Sequence, residues 1–534
     1  MNNNQFLFIL SISPVQSFIS QARKTKDLYA GSNVLSELCR KAIEKFEGYG
    51  GKVILPAENS EFMPNIFLGD IYVEKGENEL AKIGECIEEA VKEKFEDKAR
   101  LNIKLPSDLT ECFNAQINDF LEVNWLFYPY EKNNYQESYK KISELHSAIK
   151  NVKRFIPFEE KPGRKCSLCG VRNALFCGKK GKQKWKNNLI REDFIEENEG
   201  LCGVCYTKRV LDYPLPSLAE ICLMDWLKNI KKDELVKLRT EINFFDEEML
   251  FNPELDFVKD FIKQHSLDVK KQKKYYALLK IDIDDMGKWL SGKYGTDGKE
   301  LKDFQVDISK TLNKLSSKIK SIIDIDDKGY GQTVYAGGDD FLGFVNLEYL
   351  FEVVSEIKDI FKFEEHSILK KLTYSMSIVI SHYKSPLHKV LDLSRELMEE
   401  TKNAFDDKNG MGVIVLSNSS IHSKCYCRHE NFMLLEKLWK EKTGNNLHFK
   451  LGLQFPFLKD VNSYDNYLLN KSMLETEIIR LLKRENKDVK DKRVDGIINF
   501  LRDQTIEEGS NANRIDFENF IGYLKTLEQL RKVM

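Results

Sequence analysis

The chain has 534 residues, of which 42% are hydrophobic and 31% charged, the composition of an ordinary globular protein with several domains. Its formal net charge of −2 excludes a basic field over the whole molecule, so any contact with nucleic acid would come from local basic patches. No apolar stretch approaches the roughly 18 residues of a membrane-spanning helix, and the N-terminus lacks the features of a secretory signal.

The first region of the chain, residues 1–130, combines strand and helix patterns. Residues 5–12 form a continuous apolar run, which predicts a strand buried on both faces. A helical pattern follows directly, and short strands are predicted at Lys52–Leu55, Asn65–Leu68 and Val123–Tyr128. We therefore expect an α+β domain here.

Residues 131–270 are mostly helical in pattern and contain two Cys-x-x-Cys pairs separated by 32 residues. The pairs are Cys166 with Cys169 and Cys202 with Cys205. Four thiolates at this spacing suit zinc in a closed structural site. A redox role is the alternative for a single pair, and the presence of two argues against it. Because the chain has eleven cysteines without a disulfide pattern, we expect a reducing, cytoplasmic location.

Residues 271–419 show a second strand–helix pattern. The predicted elements are a strand at Tyr275–Ile283, a helix at 302–323, a hairpin at 332–346, a helix at Leu350–Phe363, a strand at Leu372–Ser381, a helix at Leu387–Ala404 and a strand at Val413–Leu416. This is the β-α-β-β-α-β order of a ferredoxin-like palm. Residues 420–534 are helical in pattern. A distant internal duplication is one hypothesis for the two α+β regions.

An acidic turn, Gly337–Asp340, is the sharpest chemical signal in the chain. Its two glycines allow a tight turn and close approach of a nucleotide. Its two adjacent carboxylates are costly unless a divalent cation relieves them. A solvated hairpin turn is the alternative.

A second acidic cluster, Asp282–Asp285, ends the preceding strand. We expect the first two strands of this palm to be neighbours, which would let both clusters share Mg²⁺ or Mn²⁺ ions for phosphoryl transfer. Asp282 is the expected partner of Asp339 and Asp340. Asp284 and Asp285 are either ligands or caps of the following turn, and Lys288 either contacts a phosphate or is an exposed lysine.

Several segments together resemble one family, the Cmr-type large subunits of type III CRISPR complexes. The matching segments are Ser11–Ile19, Ala22–Leu28, Gly31-Ser32, Pro64–Phe67, Cys166–Gly170, Leu201–Cys205, Lys208-Arg209, Asp282–Lys288, Gly337–Asp340, Ser385–Leu387 and Lys402–Ala404. They extend from residue 6 to about residue 416, and Ile66 stands where the family has arginine.

The resemblance implies an α+β fold with two ferredoxin-like palms of the adenylyl-cyclase and GGDEF type. It implies a first palm at 1–130, a helical zinc-binding module at 131–270, a catalytic palm at 271–419 and a C-terminal helical domain at 420–534. The implied partners are crRNA, target RNA, a small helical subunit and backbone subunits. The implied activity is target-RNA-activated, metal-dependent nucleotidyl transfer from ATP, which makes cyclic oligoadenylate. Conjugation of AMP to S-adenosylmethionine is the alternative for the same palm.

The resemblance also implies roles for individual residues. The implied catalytic residues, which also bind Mg²⁺ or Mn²⁺, are Asp282, Asp339 and Asp340. The implied cofactor-binding residues are Gly337, Gly338, Ile283, Asp284, Asp285, Lys288 and Lys402. The implied zinc ligands are Cys166, Cys169, Cys202 and Cys205.

Other functions and surfaces stay open at this point. No His-Asp dipeptide occurs, so we expect no histidine-aspartate nuclease and no DNase activity. A diguanylate-cyclase-like enzyme and a binding-only scaffold are the rival functions. Two basic stretches either contact RNA or form solvated surface: Lys179–Lys186, and the residues Arg480, Lys483, Arg484 and Lys487.

Overall fold

A computed structural model describes most of the chain. It describes residues 4–534 apart from 75–76, 102, 104, 106, 131–133, 153–159, 161, 179–194, 197, 212, 214, 231–233, 235–250, 253, 325–328, 364–368, 418–419, 441–479, 481–495, 497–498 and 501–511. The basic stretch Lys179–Lys186 lies outside these residues, as do Lys483, Arg484 and Lys487. Within the described ranges, no helix has the length and apolar character needed to cross a membrane.

The first sheet has four antiparallel strands in the order β2-β3-β1-β4. The strands are β1 (Gln5–Ser13), β2 (Lys52–Leu55), β3 (Ile66–Tyr72) and β4 (Glu122–Pro129). The connecting helices are α1 (Gln16–Ser20), α2 (Thr25–Gly48), α3 (Glu77–Arg100) and α4 (Ser107–Asn118). This is a ferredoxin-like arrangement, with β1 in the interior of the sheet, as its apolar run indicates.

The middle of the chain connects the two sheets. It contains the helices α5 (Tyr135–Asn151), α6 (Gly203–Val210), α7 (Leu218–Leu227) and α8 (Asp256–Gln264) and a short antiparallel pair, β5 (Phe176–Cys177) with β6 (Gly200–Leu201). Ser217 begins α7 with a capping box, because its hydroxyl accepts from the amide of Glu220 and that glutamate accepts from the amide of Ser217.

The second sheet has six strands in the order β12-β11-β10-β7-β9-β8. The strands are β7 (Tyr275–Ile283), β8 (Gly331–Gly337), β9 (Asp340–Asn346), β10 (Tyr374–His382), β11 (Met411–Ser417) and β12 (Ser420–Cys427). The helices are α9 (Met286–Leu290), α10 (Leu301–Ile323), α11 (Leu350–Phe363), α12 (Leu387–Asn403), α13 (His429–Lys440) and α14 (Ala512–Val533).

Two sequence-based expectations about this sheet are wrong. The first and second strands, β7 and β8, are not neighbours, because β9 lies between them. Residues 420–534 were expected to be helical, but they begin with strand β12. This strand pairs antiparallel with β11 and packs against α14. The four domain boundaries given above otherwise stay predictions.

The two faces of β7 contribute to different apolar cores. Leu279 and Ile281 pack with α10 and α11, in a core that also takes in Leu7 and Ile9 of β1. Leu278, on the other face, packs with α7, α12 and part of α2. Because each face is covered, the strand is apolar from Tyr275 to Leu279, and Lys280 and Asp282 follow near its end. The mixed α/β architecture with two palm sheets confirms the predicted fold class.

Candidate active site and cysteine cluster

The acidic turn connects β8 to β9 through a two-residue loop, Gly338 and Asp339. Gly338 has φ +64°, a conformation that favours glycine, and positive φ at only the first loop position is typical of a type II′ hairpin turn. A Cβ on Gly337 would lie 2.8 Å from the Tyr335 hydroxyl and 3.0 Å from the Phe62 carbonyl oxygen. The backbone geometry of the turn therefore explains both glycines. Asp339 and Asp340 follow them, at the end of the sheet where β8 connects to β9.

Three carboxylates meet where β7 ends and β9 begins. Asp282 pairs in register with Asp340, and the amide of Ile283 donates to the carbonyl of Asp339 at 3.0 Å. Loss of water contact, together with the charges of Asp340 and Asp282, raises the pKa of Asp339 to about 7. Burial also raises the pKa of Asp340. The register therefore brings together three carboxylates that repel one another.

The chemistry of these groups fits a divalent cation. Asp340 Oδ1 is buried and has no hydrogen-bond donor among the described residues. An anionic oxygen withdrawn from water without a donor is costly, and a hard cation such as Mg²⁺ or Mn²⁺ is a suitable partner for a cluster of carboxylate oxygens. Asp282, Asp339 and Asp340 are the residues that would hold such ions.

Asp284 and Asp285 have other partners. Asp284 is buried and accepts from the Ser375 hydroxyl at 2.8 Å and from the amide of Asn409 at 3.0 Å. Burial raises the pKa of Asp284. Asp284 thus connects the end of β7 to the start of β10 and to the loop before β11. Of the two predicted roles, its contacts favour the structural one.

Asp285 has φ +55° and stands at the N-terminus of α9. Its carboxylate accepts from Lys408 at 2.5 Å, from Lys288 at 2.9 Å and from the Tyr294 hydroxyl at 2.7 Å. These hydrogen bonds, with that from Lys408 the largest cause, hold the pKa of Asp285 well below its usual range. Lys402, on α12, forms an ion pair with Asp282. Positive charge therefore surrounds the acidic cluster on the side where β7 ends.

A cleft of about 130 Å³ lies between the acidic strands and the first palm. Asp340 lies on its second-palm wall, and Gln16, Ser32 and Asn65 lie on its first-palm wall. Ser32 Oγ is buried and has no hydrogen-bond partner among the described residues. Of the three carboxylates, Asp340 is thus the one that faces this cleft.

Sequence reasoning missed two further residues of this cleft, Lys280 and Arg395. Lys280 lies two residues before Asp282 on β7, and the spacing of side chains on a strand would have placed both on one face. Arg395 lies on α12, and no short-range pattern connects it with the acidic strands.

The four cysteines predicted to bind zinc come together in space. The sulfur atoms of Cys166, Cys169, Cys202 and Cys205 all lie within 4.8 Å of one another, and those of Cys169 and Cys202 are 3.8 Å apart. A tetrahedral ion with metal–sulfur bonds of about 2.3 Å would hold its sulfurs roughly 3.8 Å apart, so the donor set fits a metal. Cys177 is not part of this cluster.

Helix α6 contains Cys205, with Cys202 as its N-cap residue, and it also reaches the first palm. At its end, buried Arg209 forms ion pairs with Asp27 at 2.7 Å and with Glu199 at 2.8 Å, and all three side chains are fully buried. Buried Lys208 donates to the carbonyls of Phe18 and Gln21 at the end of α1. The cysteine cluster and the first palm are therefore joined through one short helix.

Comparison with protein families finds two matching domain models. Residues 275–412 match the second palm domain of Cas10/Cmr2, and residues 7–101 match the N-terminal domain of the CRISPR-associated protein Cmr2. The first match includes β7, the acidic turn and α12. The second covers the first three strands of the first palm.

Similar whole proteins agree with these matches. The CRISPR system Cmr subunit Cmr2 of Pyrococcus furiosus is 24% identical over 90% of this chain and 70% of its own length. A type III-B Cmr-beta structure in the apo state is similar with a TM-score of 0.65 and 13% identity, over 98% of this chain and 82% of the other. One bound to cognate target RNA has a TM-score of 0.62 and 14% identity, over 99% and 83%.

Two palm sheets, an acidic turn in the second and a four-cysteine cluster between them define a palm protein of the CRISPR-associated class. The matches support a large subunit of the Cas10/Cmr2 type.

Proposed function

We propose that this chain catalyses metal-dependent nucleotidyl transfer from ATP, and that its product is cyclic oligoadenylate. The observation that carries the proposal is the pairing of Asp282 with Asp340, next to Asp339 and beside a cleft that Asp340 lines. A binding-only scaffold has no need of three mutually repelling carboxylates beside a cleft, because such a cluster costs stability.

The reaction joins two molecules at a phosphorus atom. The 3′-hydroxyl oxygen of the acceptor bonds to the α-phosphorus of ATP, the bond to the β-phosphate breaks, pyrophosphate leaves and water takes up the proton. Bound Mg²⁺ or Mn²⁺ ions would activate the hydroxyl and neutralise the triphosphate. The chain contributes the three carboxylates that hold the ions. Lys402 and Lys288 place positive charge beside the phosphates.

We further propose zinc as the ion of the cysteine cluster and a structural role for it. Four thiolates leave no open coordination position for catalysis. The buried contacts of Lys208 and Arg209 support a role in holding α6 against the first palm.

The proposed setting is a multi-subunit effector with crRNA and target RNA, a small helical subunit and backbone subunits. A similar type III-B structure is described as bound to cognate target RNA, which supports RNA as the activating partner. The described surface has mixed charge, so this part of the proposal rests on the family.

Product analysis by mass spectrometry tests the activity. The assembled complex is incubated with target RNA, Mg²⁺ or Mn²⁺ and ATP, with and without S-adenosylmethionine. The Asp339→Asn, Asp340→Asn double variant should lose product, whereas the exposed-site control Asp256→Asn should retain it. An adduct that requires S-adenosylmethionine would keep the palm chemistry and change the acceptor. If no product forms, or if the double variant equals the wild type, the proposal is wrong.

A further inference from the structure

Two groups of cations flank the three carboxylates, and they differ in their partners. The outer lysines are Lys288, Lys402 and Lys408, which form ion pairs with Asp285 or Asp282. The inner cation pair, Lys280 and Arg395, lines the cleft between the palms. The outer lysines thus already have anionic partners on the chain itself.

The inner cation pair lies at one level of the sheet, about two residues before Asp282 along β7. Lys280 pairs across the sheet with Ser377 of β10. The Ser377 hydroxyl donates to the carbonyl of Ser394 at 2.9 Å, which places the adjacent Arg395 at the level of Lys280.

The C-terminal end of α12 lies at the level of Asp282. Lys402 follows Arg395 by seven residues, about 10 Å along the helix, and it reaches Asp282. Asp282 is itself about 7 Å beyond Lys280 along β7. The helix and the strand therefore run in the same direction, from the inner cation pair towards the outer lysines.

Both inner cations lie near carboxylates of the chain, and both keep donors that these contacts do not use. The Lys280 ammonium lies 3.9 Å from Asp340 Oδ1, too far for a hydrogen bond. Arg395 is 3.3 Å from Asp392 Oδ1 and donates to the Gln16 carbonyl at 3.2 Å. Because a guanidinium has five N–H donors, these bonds leave donors for a ligand.

We propose that Lys280 and Arg395 bind an anionic group of the acceptor, the molecule whose hydroxyl attacks ATP. This inference rests on the proposed function, because transfer requires two molecules in one cleft. The triphosphate of the donor belongs with the carboxylates and the outer lysines. A charged acceptor then needs cations of its own, and the inner cation pair supplies them on the second-palm wall.

The opposite wall cannot take this role. Its polar side chains, Gln16, Ser32 and Asn65, carry no charge. The anion is a phosphate group if the acceptor is ATP, and the amino-acid carboxylate if it is S-adenosylmethionine. Both accept paired hydrogen bonds from a guanidinium.

Acceptor kinetics test the assignment in the assembled, target-RNA-activated complex. The donor is saturating 3′-deoxy-ATP, which has no 3′-hydroxyl to attack with, and the acceptor is ATP, S-adenosylmethionine or uncharged adenosine. Lys280→Met and Arg395→Met should each raise the KM for the charged acceptor about tenfold, the value of a lost charge-assisted hydrogen bond. The KM for adenosine, which has no anionic group, should rise much less. The acceptor whose KM rises identifies which anion is bound.

Two controls separate binding from folding. Lys280→Arg keeps the charge and should keep the KM near that of the wild type, and Lys82→Met, on the exposed surface of α3, should have no effect. An unchanged KM in both methionine variants would overturn the assignment while leaving the proposed activity intact. An equal loss with adenosine would show a purely structural role and also overturn it. If the wild type makes no product with any acceptor, the proposed function itself fails.

Discussion

The two palms share a strand order but not a chemistry. The first sheet runs β2-β3-β1-β4, and the second contains the equivalent order β8-β9-β7-β10. An equivalent main-chain hydrogen bond occurs in both palms. The amide of Ile12 donates to the carbonyl of Asn65 at 2.8 Å, and the amide of Ile283 donates to the carbonyl of Asp339 at 3.0 Å.

Aligning the two sheets by their strand order and by this hydrogen bond assigns each carboxylate a counterpart in the first palm. The counterparts of Asp282, Asp339 and Asp340 are Ser11, Asn65 and Ile66. The first palm therefore lacks all three acids at the positions where the second has them.

The part of this face that borders the cleft in the second palm is covered by α5 in the first. His146 of α5 lies against Ser11, with Nε2 and Oγ 2.9 Å apart in a buried contact. Ile142, one turn earlier, packs in the same core as Leu7 and Ile9 of β1. The first palm thus has a structural role, whereas the second contains the candidate active site. The comparison teaches that a few side chains and one covering helix separate these two uses of one topology.

The largest expected effect concerns the buried ion pair between Asp27 of the first palm and Arg209. Burial alone would raise the pKa of Asp27, but the charge and hydrogen bonds of Arg209 lower it to about 2. Asp27→Asn leaves Arg209 short of a buried counter-charge and should cost about 3 kcal/mol in the free energy of unfolding. Urea unfolding followed by tryptophan fluorescence measures this loss.

Asp285→Asn is the matched change at the site. Asn tolerates the positive φ at this position, and the ion pairs lost are partly exposed, so the cost should stay below about 1 kcal/mol. If both variants lowered the free energy of unfolding equally, the distinction between a structural first palm and a functional second palm would fail.

A second prediction concerns pH and the face of the first palm that α5 covers. Burial, with the charge of Lys150, lowers the pKa of His146 to about 4. The fold therefore favours neutral His146, and this stability is present above about pH 6.5 and lost as the pH falls towards 4. The loss is at most about 3 kcal/mol.

Melting temperatures at pH 7 and pH 5 test this dependence. His146→Gln should flatten the change between the two pH values, whereas the exposed-site variant His388→Gln should leave it as in the wild type. An unaltered pH dependence in His146→Gln would mean that this covered face does not depend on a neutral histidine.

The smallest expected effect separates the two turns. The first palm has Pro64 at the position of Gly338, within a ten-residue connection at 56–65, and proline cannot adopt the positive φ of Gly338. Gly338→Ala should cost about 1 kcal/mol, measured by thermal unfolding. Gly48→Ala, in open space at the end of α2, should be neutral or stabilising. Equal behaviour would show that the acidic turn adapts without strain.

Local patterns predicted much of the fold. The apolar runs of β1 and β7 and the helical stripe of α10 decide structure within a few residues, and each is confirmed. Strand β12 was missed although its buried Ser423, Cys425 and Cys427 alternate with less buried residues. That period of two was available in the sequence, but the surrounding helical patterns hid it.

Long-range pairing was harder to predict. The sequence suggested that the two acidic clusters share a site, but it paired β7 with the wrong strand of the hairpin. The contacts of Ser11 with His146 and of Asp27 with Arg209 join residues 135 and 182 positions apart. No periodicity carries information over such distances, and this is also why Arg395 was missed.

Helix α1 depends on two distant parts of the chain for its position. Five residues form too short a helix to persist alone in water. Lys208 of α6 donates to its C-terminal end, and Arg395 of α12 donates to Gln16 at its start. The wall of the cleft that α1 forms therefore couples the region of the cysteine cluster to the second palm.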